Sequence, residues 1–114
     1  MNAEQIEQVR LFDWIRTRPD IEPYAFHIAN ERKSTPQAGY LLKRMGVKAG
    51  VSDLFIGIPK KEWHGLFLEL KAGKNKPSDV QENFLMNMSS KGYYCIWAKG
   101  YEDAKQIIED YMRL

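Results

Sequence analysis

The sequence predicts an α/β domain in which a small mixed sheet is flanked by helices. Three observations point there. Apolar residues at helical spacing open and close the chain, and short runs of branched and aromatic residues lie between them. Two of those runs, "SDLFIGI" and "HGLFLELK", are joined by a short connection containing Pro59 and paired lysines, the pattern of a hairpin.

Taken in order, Ile6, Val9, Phe12 and Ile15 recur at helical spacing with Leu11 widening the face, so residues 3–17 read as a helix that ends before Pro19. "YAFHIAN" (24–30) reads as a short strand, and "NERKSTPQAGY" as a polar turn from which Pro36 starts a short helix through "YLLKRMG". The two hairpin strands follow. "KPSDVQENFLMNMSSKG" reads as a helix with Val80, Phe84, Leu85 and Met88 on one face and Gly92 past its end. "YYCIWA" (93–98) is a strand, and Ala104, Ile107, Ile108, Tyr111 and Met112 mark an amphipathic closing helix.

A length of 114 residues suits one domain, 1–114, with a real core but not two. No run of about 18 apolar residues occurs, so no membrane span is expected. The polar, acidic start "MNAEQIEQVR" argues against a signal peptide and for the cytoplasm. Cys95 stands alone and there are two histidines, which argues against an internal disulfide and a structural zinc site. The net charge of +2 excludes little, but ten Lys/Arg face three acids between Arg32 and Lys76. That segment is about +7 and the two ends together about −5, a distribution that suits a polyanion partner or a solvated surface.

The hairpin carries charge where a core strand should have none. Leu66, Leu68 and Leu70 share one face of their strand; Phe67, Glu69 and Lys71 share the other. Leu54, Ile56 and Ile58 share a face, and Asp53 begins the opposite one. If the strands pair, Asp53, Glu69 and Lys71 meet on the face opposite the leucines. Two carboxylates beside a lysine suit a hard cation such as Mg²⁺, which takes a few carboxylate oxygens, water and substrate phosphate. Such an ion polarises phosphate and acidifies bound water, while the lysine orients that water or steadies developing charge. The competing reading is an ordinary ion pair, Glu69 with Lys71 or Asp53 with a neighbouring lysine.

"GVKAGVSDLFI" followed by "HGLFLELKAGKNKPSDVQ" resembles the VRR-NUC family, the virus-type replication-repair nucleases of the PD-(D/E)xK superfamily. Members carry G-V-x-x-G-x-x-D, then a strand with E-x-K, then a helix entered through S-x-x-Q. "EQIEQVRLFDWI" is similar to the family's first helix, "ANERK" to its Asn and basic turn, and "KGYYCIWAKGYEDAKQIIEDYM" to its closing strand and helix, so the resemblance spans nearly the whole chain. It implies a restriction-endonuclease-like core in which Asp53 and Glu69 bind a metal, with the Leu70 main-chain carbonyl as a further ligand and Lys71 assisting the attacking water. Mg²⁺ is the implied cofactor, with Mn²⁺ substituting. One departure is visible: Ser52 stands where the family usually has proline, which would stiffen the turn without supplying chemistry. The "PD" at Pro19-Asp20 lies far from any E-x-K strand and reads as a decoy at a helix end.

Other positions carry two readings each. Glu4 and Gln8 fall on the largely inward stripe of the first helix, where a carboxylate can be structural through the helix dipole. The resemblance makes Glu4 the acid that this helix brings to the site, on its spacing to Trp14, with Glu7 the competitor. Gln81 is either half of a Ser78-x-x-Gln81 capping box or, as the resemblance implies, a neighbour of the bound water and scissile phosphate. Asn30, Arg32 and Lys33 in the polar turn, and Lys74 and Lys76 at the third helix's entry, are candidate DNA contacts or simply solvated charges. His27 reads as a core histidine, His64 as part of the hairpin, and Trp14, Trp63 and Trp97 as core or interface residues.

The expectation is therefore a metal-dependent, structure-selective DNA endonuclease that works by water attack. Family members of this size resemble Holliday-junction resolvases acting as homodimers, and the same small members imply a phage or prophage origin and a role in DNA repair. Exposed aromatics such as Trp63 or Tyr101 are candidates for the dimer surface. Two alternatives are a noncatalytic DNA-structure-binding module and a nuclease of flaps, nicked DNA or duplex.

Overall fold

The computed structural model describes residues 1–29 and 35–114. Among these the element order is α1 (Ala3–Ile15), a 3₁₀ turn (Glu22–Tyr24), β1 (Ala25–His27), α2 (Pro36–Arg44), β2 (Leu54–Ile56), β3 (Leu66–Lys71), α3 (Asp79–Ser89), β4 (Tyr94–Lys99) and α4 (Gly100–Met112). The strands lie in the order β1-β2-β3-β4. β1 and β2 run antiparallel, as do β2 and β3, whereas β4 joins β3 in parallel with Glu69 opposite Trp97 and Lys71 opposite Lys99. A parallel neighbour requires a crossover, and α3 supplies it. This is the small mixed sheet between helices that the sequence predicts.

The core lies on the leucine face of the hairpin. Leu54, Ile56, Leu66, Leu68 and Leu70 are buried there against Leu11 and Ile15 of α1 and Ala104, Ile108 and Tyr111 of α4. Tyr111 closes the floor by donating its hydroxyl to the carbonyl of Ile58 at 2.6 Å, and burial pushes its phenol up from the ordinary value. The opposite face of the sheet is aromatic: Phe55 packs tilted on Phe67, Tyr93 meets both edge to face, and Phe84 meets Phe67 edge to face, seating α3 on the sheet.

Two predicted apolar stripes are placed differently. Ile6 and Val9 are 41% and 42% exposed, and the inward side of α1 runs instead through Glu4, Glu7 and Gln8 to Leu11 and Ile15. The reason is polar work at the helix's first half. Glu7 Oε1 accepts the Tyr101 N–H at 2.7 Å, capping α4, and that position is what turns the register. Val80 is half exposed because it packs on Gly50 of the turn before β2 rather than on the core. The aromatics expected at the surface are half-buried: Trp63 packs on Tyr94, and Tyr101 lies beneath the Arg10 guanidinium.

Candidate active site

Asp53 enters the site from the turn before β2, where the antiparallel register ends. Beyond the Leu54–Leu68 pair, β3 runs on without β2, and the Asp53 carboxylate takes the place of a partner strand by accepting the Leu70 N–H at 2.6 Å. The Asp53 main-chain carbonyl is held from the other side by the Ile28 N–H at 2.7 Å and by His27 Nδ1 at 2.7 Å. A carbonyl only accepts, so Nδ1 carries the proton in this contact.

Glu69 and Lys71 rise from β3 on the face away from the leucines. Glu69 is 2% exposed and Lys71 9%, with Lys71 Nζ 3.2 Å from Glu69 Oε2. Glu69 Oε1 is buried without a hydrogen-bond partner among the described residues. Burial, and next the Asp53 carboxylate, push the Glu69 carboxyl up to about 8 against the lowering pull of Lys71. An ordinary ion pair would leave no buried oxygen unpartnered and would lower the carboxyl rather than raise it.

A cleft of about 190 Å³ opens here, lined by Glu4, His27, Ile28, Val51, Asp53, Glu69 and Gln81. Glu4 therefore faces the two strand acids, whereas Glu7 is occupied at α4. Gln81 forms the expected capping box and also borders the cleft. Its side-chain oxygen accepts the Ser78 N–H at 2.9 Å, completing the capping box with Ser78 Oγ, while the residue also lines the cleft with its amide NH₂ remaining as a donor.

His27 is the residue that sequence reasoning misplaced. It is exposed on β1, not a core histidine, and the short strand, three residues long, ends in time to set its ring beside Asp53. The apolar neighbours Phe26 and Ile28 concealed this, and only the β1–β2 pairing brings it to the site. Lys74 and Lys76 are exposed in the connection from β3 to α3. Asn30, Arg32 and Lys33 lie outside the described residues. Asp20 of the decoy "PD" is bound two-pronged by Arg18 at 2.8 and 3.0 Å, and that guanidinium holds its carboxyl below the usual range. Trp14 lies under Arg18 and Lys105, Trp97 lies under Lys99, and His64 edges onto Tyr93.

Among the described residues no group of three or more His, Cys, Asp or Glu side chains is arranged to hold a metal by itself. Two carboxylates with an orphaned oxygen instead fit an ion that completes its shell with main-chain oxygen, water and phosphate, which is Mg²⁺ chemistry. Among the described residues no helix is long and apolar enough to cross a membrane.

Compared with solved structures, the chain superposes at a TM-score of 0.85 on one described as "VRR_NUC domain protein". The two are 28% identical, and the match covers 100% of this chain and 91% of that one. No protein-family model and no curated protein matches the sequence.

Proposed function

We propose, from the likeness to the solved VRR_NUC domain protein, that the chain is a nuclease of the VRR-NUC kind: a Mg²⁺-dependent endodeoxyribonuclease acting on branched DNA, a four-way junction in the first place, as a homodimer. The observation that carries the reading is the buried, partnerless Glu69 Oε1 between Asp53 and Lys71.

Asp53 and Glu69 would hold the ion, with the Leu70 carbonyl as a third protein oxygen. In an extended strand the N–H and C=O of one residue point to the same edge, and the Leu70 N–H meets Asp53. When bound, the ion supplies Lewis acidity toward the phosphate and a lowered pKa for water. The chain's own residues do the rest. Lys71 brings its side-chain nitrogen beside the reacting phosphate and offsets the growing negative charge there. Gln81 donates its amide to a phosphate oxygen or to the attacking water. Glu4 accepts the proton that water gives up. The water oxygen forms its bond to phosphorus, one P–O ester bond breaks, and the departing oxygen takes up a proton from solvent. A two-fold homodimer sets two such sites against the two strands of a junction, and Lys74 and Lys76 meet the phosphate backbone at the helix entry.

The test is cleavage of synthetic four-way junctions, flaps, nicked and intact duplexes with Mg²⁺, Mn²⁺ or chelator. Junction cutting is expected with either ion and none with chelator. Asp53→Ala, Glu69→Ala and Lys71→Ala should each lose at least about 100-fold in rate. Undiminished cutting by Asp53→Ala or Glu69→Ala removes the proposed site. Binding without cutting in every metal would instead make the protein a DNA-structure-binding module.

A further inference from the structure

α2 is the helix that the fold leaves over. None of its residues is buried, and among the described residues it makes only marginal contact with the other helices and strands. Yet it is built to persist: Thr35 caps its start, Pro36 opens its first turn, and a Schellman turn closes it, with Gly46 N–H to Lys43 and Val47 N–H to Leu42, both at 3.0 Å. A stable, capped helix with no core function calls for another role.

Its outer surface is organised in i, i+4 rows. Tyr40 and Arg44 form one, with the guanidinium carbon 5.8 Å from the ring centre. Leu41 and Met45 form the next, and Tyr40, Leu41 and Met45 are 64%, 57% and 70% exposed. On the other flank Gly39 and Lys43 border a hollow of about 490 Å³. Residues 35–52 include no Asp or Glu. The helix is also tied to the cleft. After the Schellman turn the backbone at Gly50, with φ +86°, presses on Val80, where a Cβ would come 2.6 Å from the Val80 carbonyl oxygen. Val51 and Gln81, the neighbours of these two residues, both line the cleft.

We infer that α2 is a second DNA-contacting element, which grips unpaired nucleotides beside the cleavage point. Tyr40, with Leu41 and Met45, offers a stacking surface to an unstacked base, and Lys43 and Arg44 take the flanking phosphates. The charge selects this occupant over a second copy of the chain, because a two-fold contact through α2 would bring together two basic surfaces from a segment, 35–52, with no Asp or Glu to pair them. This deepens the nuclease reading and rests on it, in that it specifies branched DNA whose bases are unpaired at the branch, as in a flap or in a four-way junction with its branch-point pairs opened.

The experiment is fluorescence anisotropy in chelator, where cutting does not intervene, on a fully paired duplex and on the same duplex with a single-stranded arm. The proteins are wild type, Tyr40→Ala, Lys43→Ala/Arg44→Ala and, as a control on another helix, Met86→Ala, each with its helix content checked by circular dichroism. Tyr40→Ala should lose at least about fivefold in affinity for the armed DNA and less than twofold for the duplex. The double variant should weaken both and reduce the salt slope by about two, and Met86→Ala should match wild type. Equal affinities for Tyr40→Ala and wild type on the armed DNA would overturn the inference. So would a Tyr40→Ala protein that changes sedimentation but not DNA affinity, since that face would then belong to a second copy. Failure of wild type to cut any DNA while these differences persist would reject the nuclease reading and leave the α2 assignment standing.

Discussion

Glu69 carries the site's electrostatic tension, and its consequences can be measured. Its carboxyl is pushed up to about 8 from an ordinary 4.5, so between these values the folded protein binds a proton that the unfolded chain does not. The stabilisation is fully present below pH 4.5 and is lost as pH rises through 8, so metal-free protein should lose stability across that window. A cation must displace the proton. The rise in melting temperature caused by Mg²⁺ should therefore grow from pH 6 to pH 8, with proton release detectable by calorimetry in buffers of different ionisation enthalpy. Glu69→Gln removes the titration: its stability should be flat over the same range and its Mg²⁺ shift absent. Ser52 gives a second prediction. It is completely buried, and its hydroxyl has no partner among the described residues. Ser52→Ala should raise stability by about 1 kcal/mol in denaturant unfolding, with cleavage unaffected because the hydroxyl takes no part in the proposed chemistry. Burial pushes the Cys95 thiol up to about 11, away from the thiolate form.

α1 divides its labour between two acids one turn apart. Glu7 receives the Tyr101 N–H and lies against Gly100, whose φ of +84° and closeness to Glu7 Oε1, 3.0 Å from where a Cβ would stand, require glycine there. Glu4 faces the cleft. Glu7→Ala should lower stability by about 1 kcal/mol through the lost cap of α4 and leave the cutting rate within a fewfold of wild type. Glu4→Gln should do the reverse, with unchanged melting and a rate reduced at least tenfold. If the two variants exchanged these phenotypes, the helix acid would have to be reassigned. β1 illustrates the same economy. Three residues pair with β2, and their chief product is the doubly held Asp53 carbonyl, fixed by Ile28 and His27.

Across the molecule the two faces of the sheet have different duties. The leucine face meets α1 and α4 and forms the core; the other face is aromatic under α3 and charged where β3 outruns β2. The site therefore lies at the border between packed and open sheet, where charges can be buried on one side and reached from the other. Exposed apolar side chains gather on the α1–β1 flank, where Ile6, Val9, Tyr24 and Phe26 stand out beside a groove of about 410 Å³. Sedimentation of free protein is expected to give a dimer, and Val9→Asp/Phe26→Asp should yield a monomer that binds junctions but no longer cuts both strands symmetrically. A wild-type monomer that cuts symmetrically would contradict the dimer.

Much of this was legible in the residues. Helical spacing, the Ser78–Gln81 cap and the alternation of "LFLELK" each depend on near neighbours, so α1, α3, α4 and the hairpin could be read with ends off by a residue or two. The Asp53, Glu69 and Lys71 convergence was legible too, because strand alternation and one hairpin are enough to predict it. What only the tertiary structure decided are the contacts between segments distant in sequence. The division between Glu4 and Glu7 depends on where α4 begins, 94 residues from Glu7. His27 moved from core to cleft because β1 pairs with β2, 26 residues away from the Asp53 carbonyl it holds. Ile6, Val9 and Val80 read as core by period but are exposed, since a helix's spacing fixes which residues share a stripe and only its neighbours fix which stripe is covered. The sequence by itself determined the set of charged groups and the strand that carries them. The packing decided that one oxygen of Glu69 is left buried without a partner, because burial is a property of everything around a residue and of nothing within it.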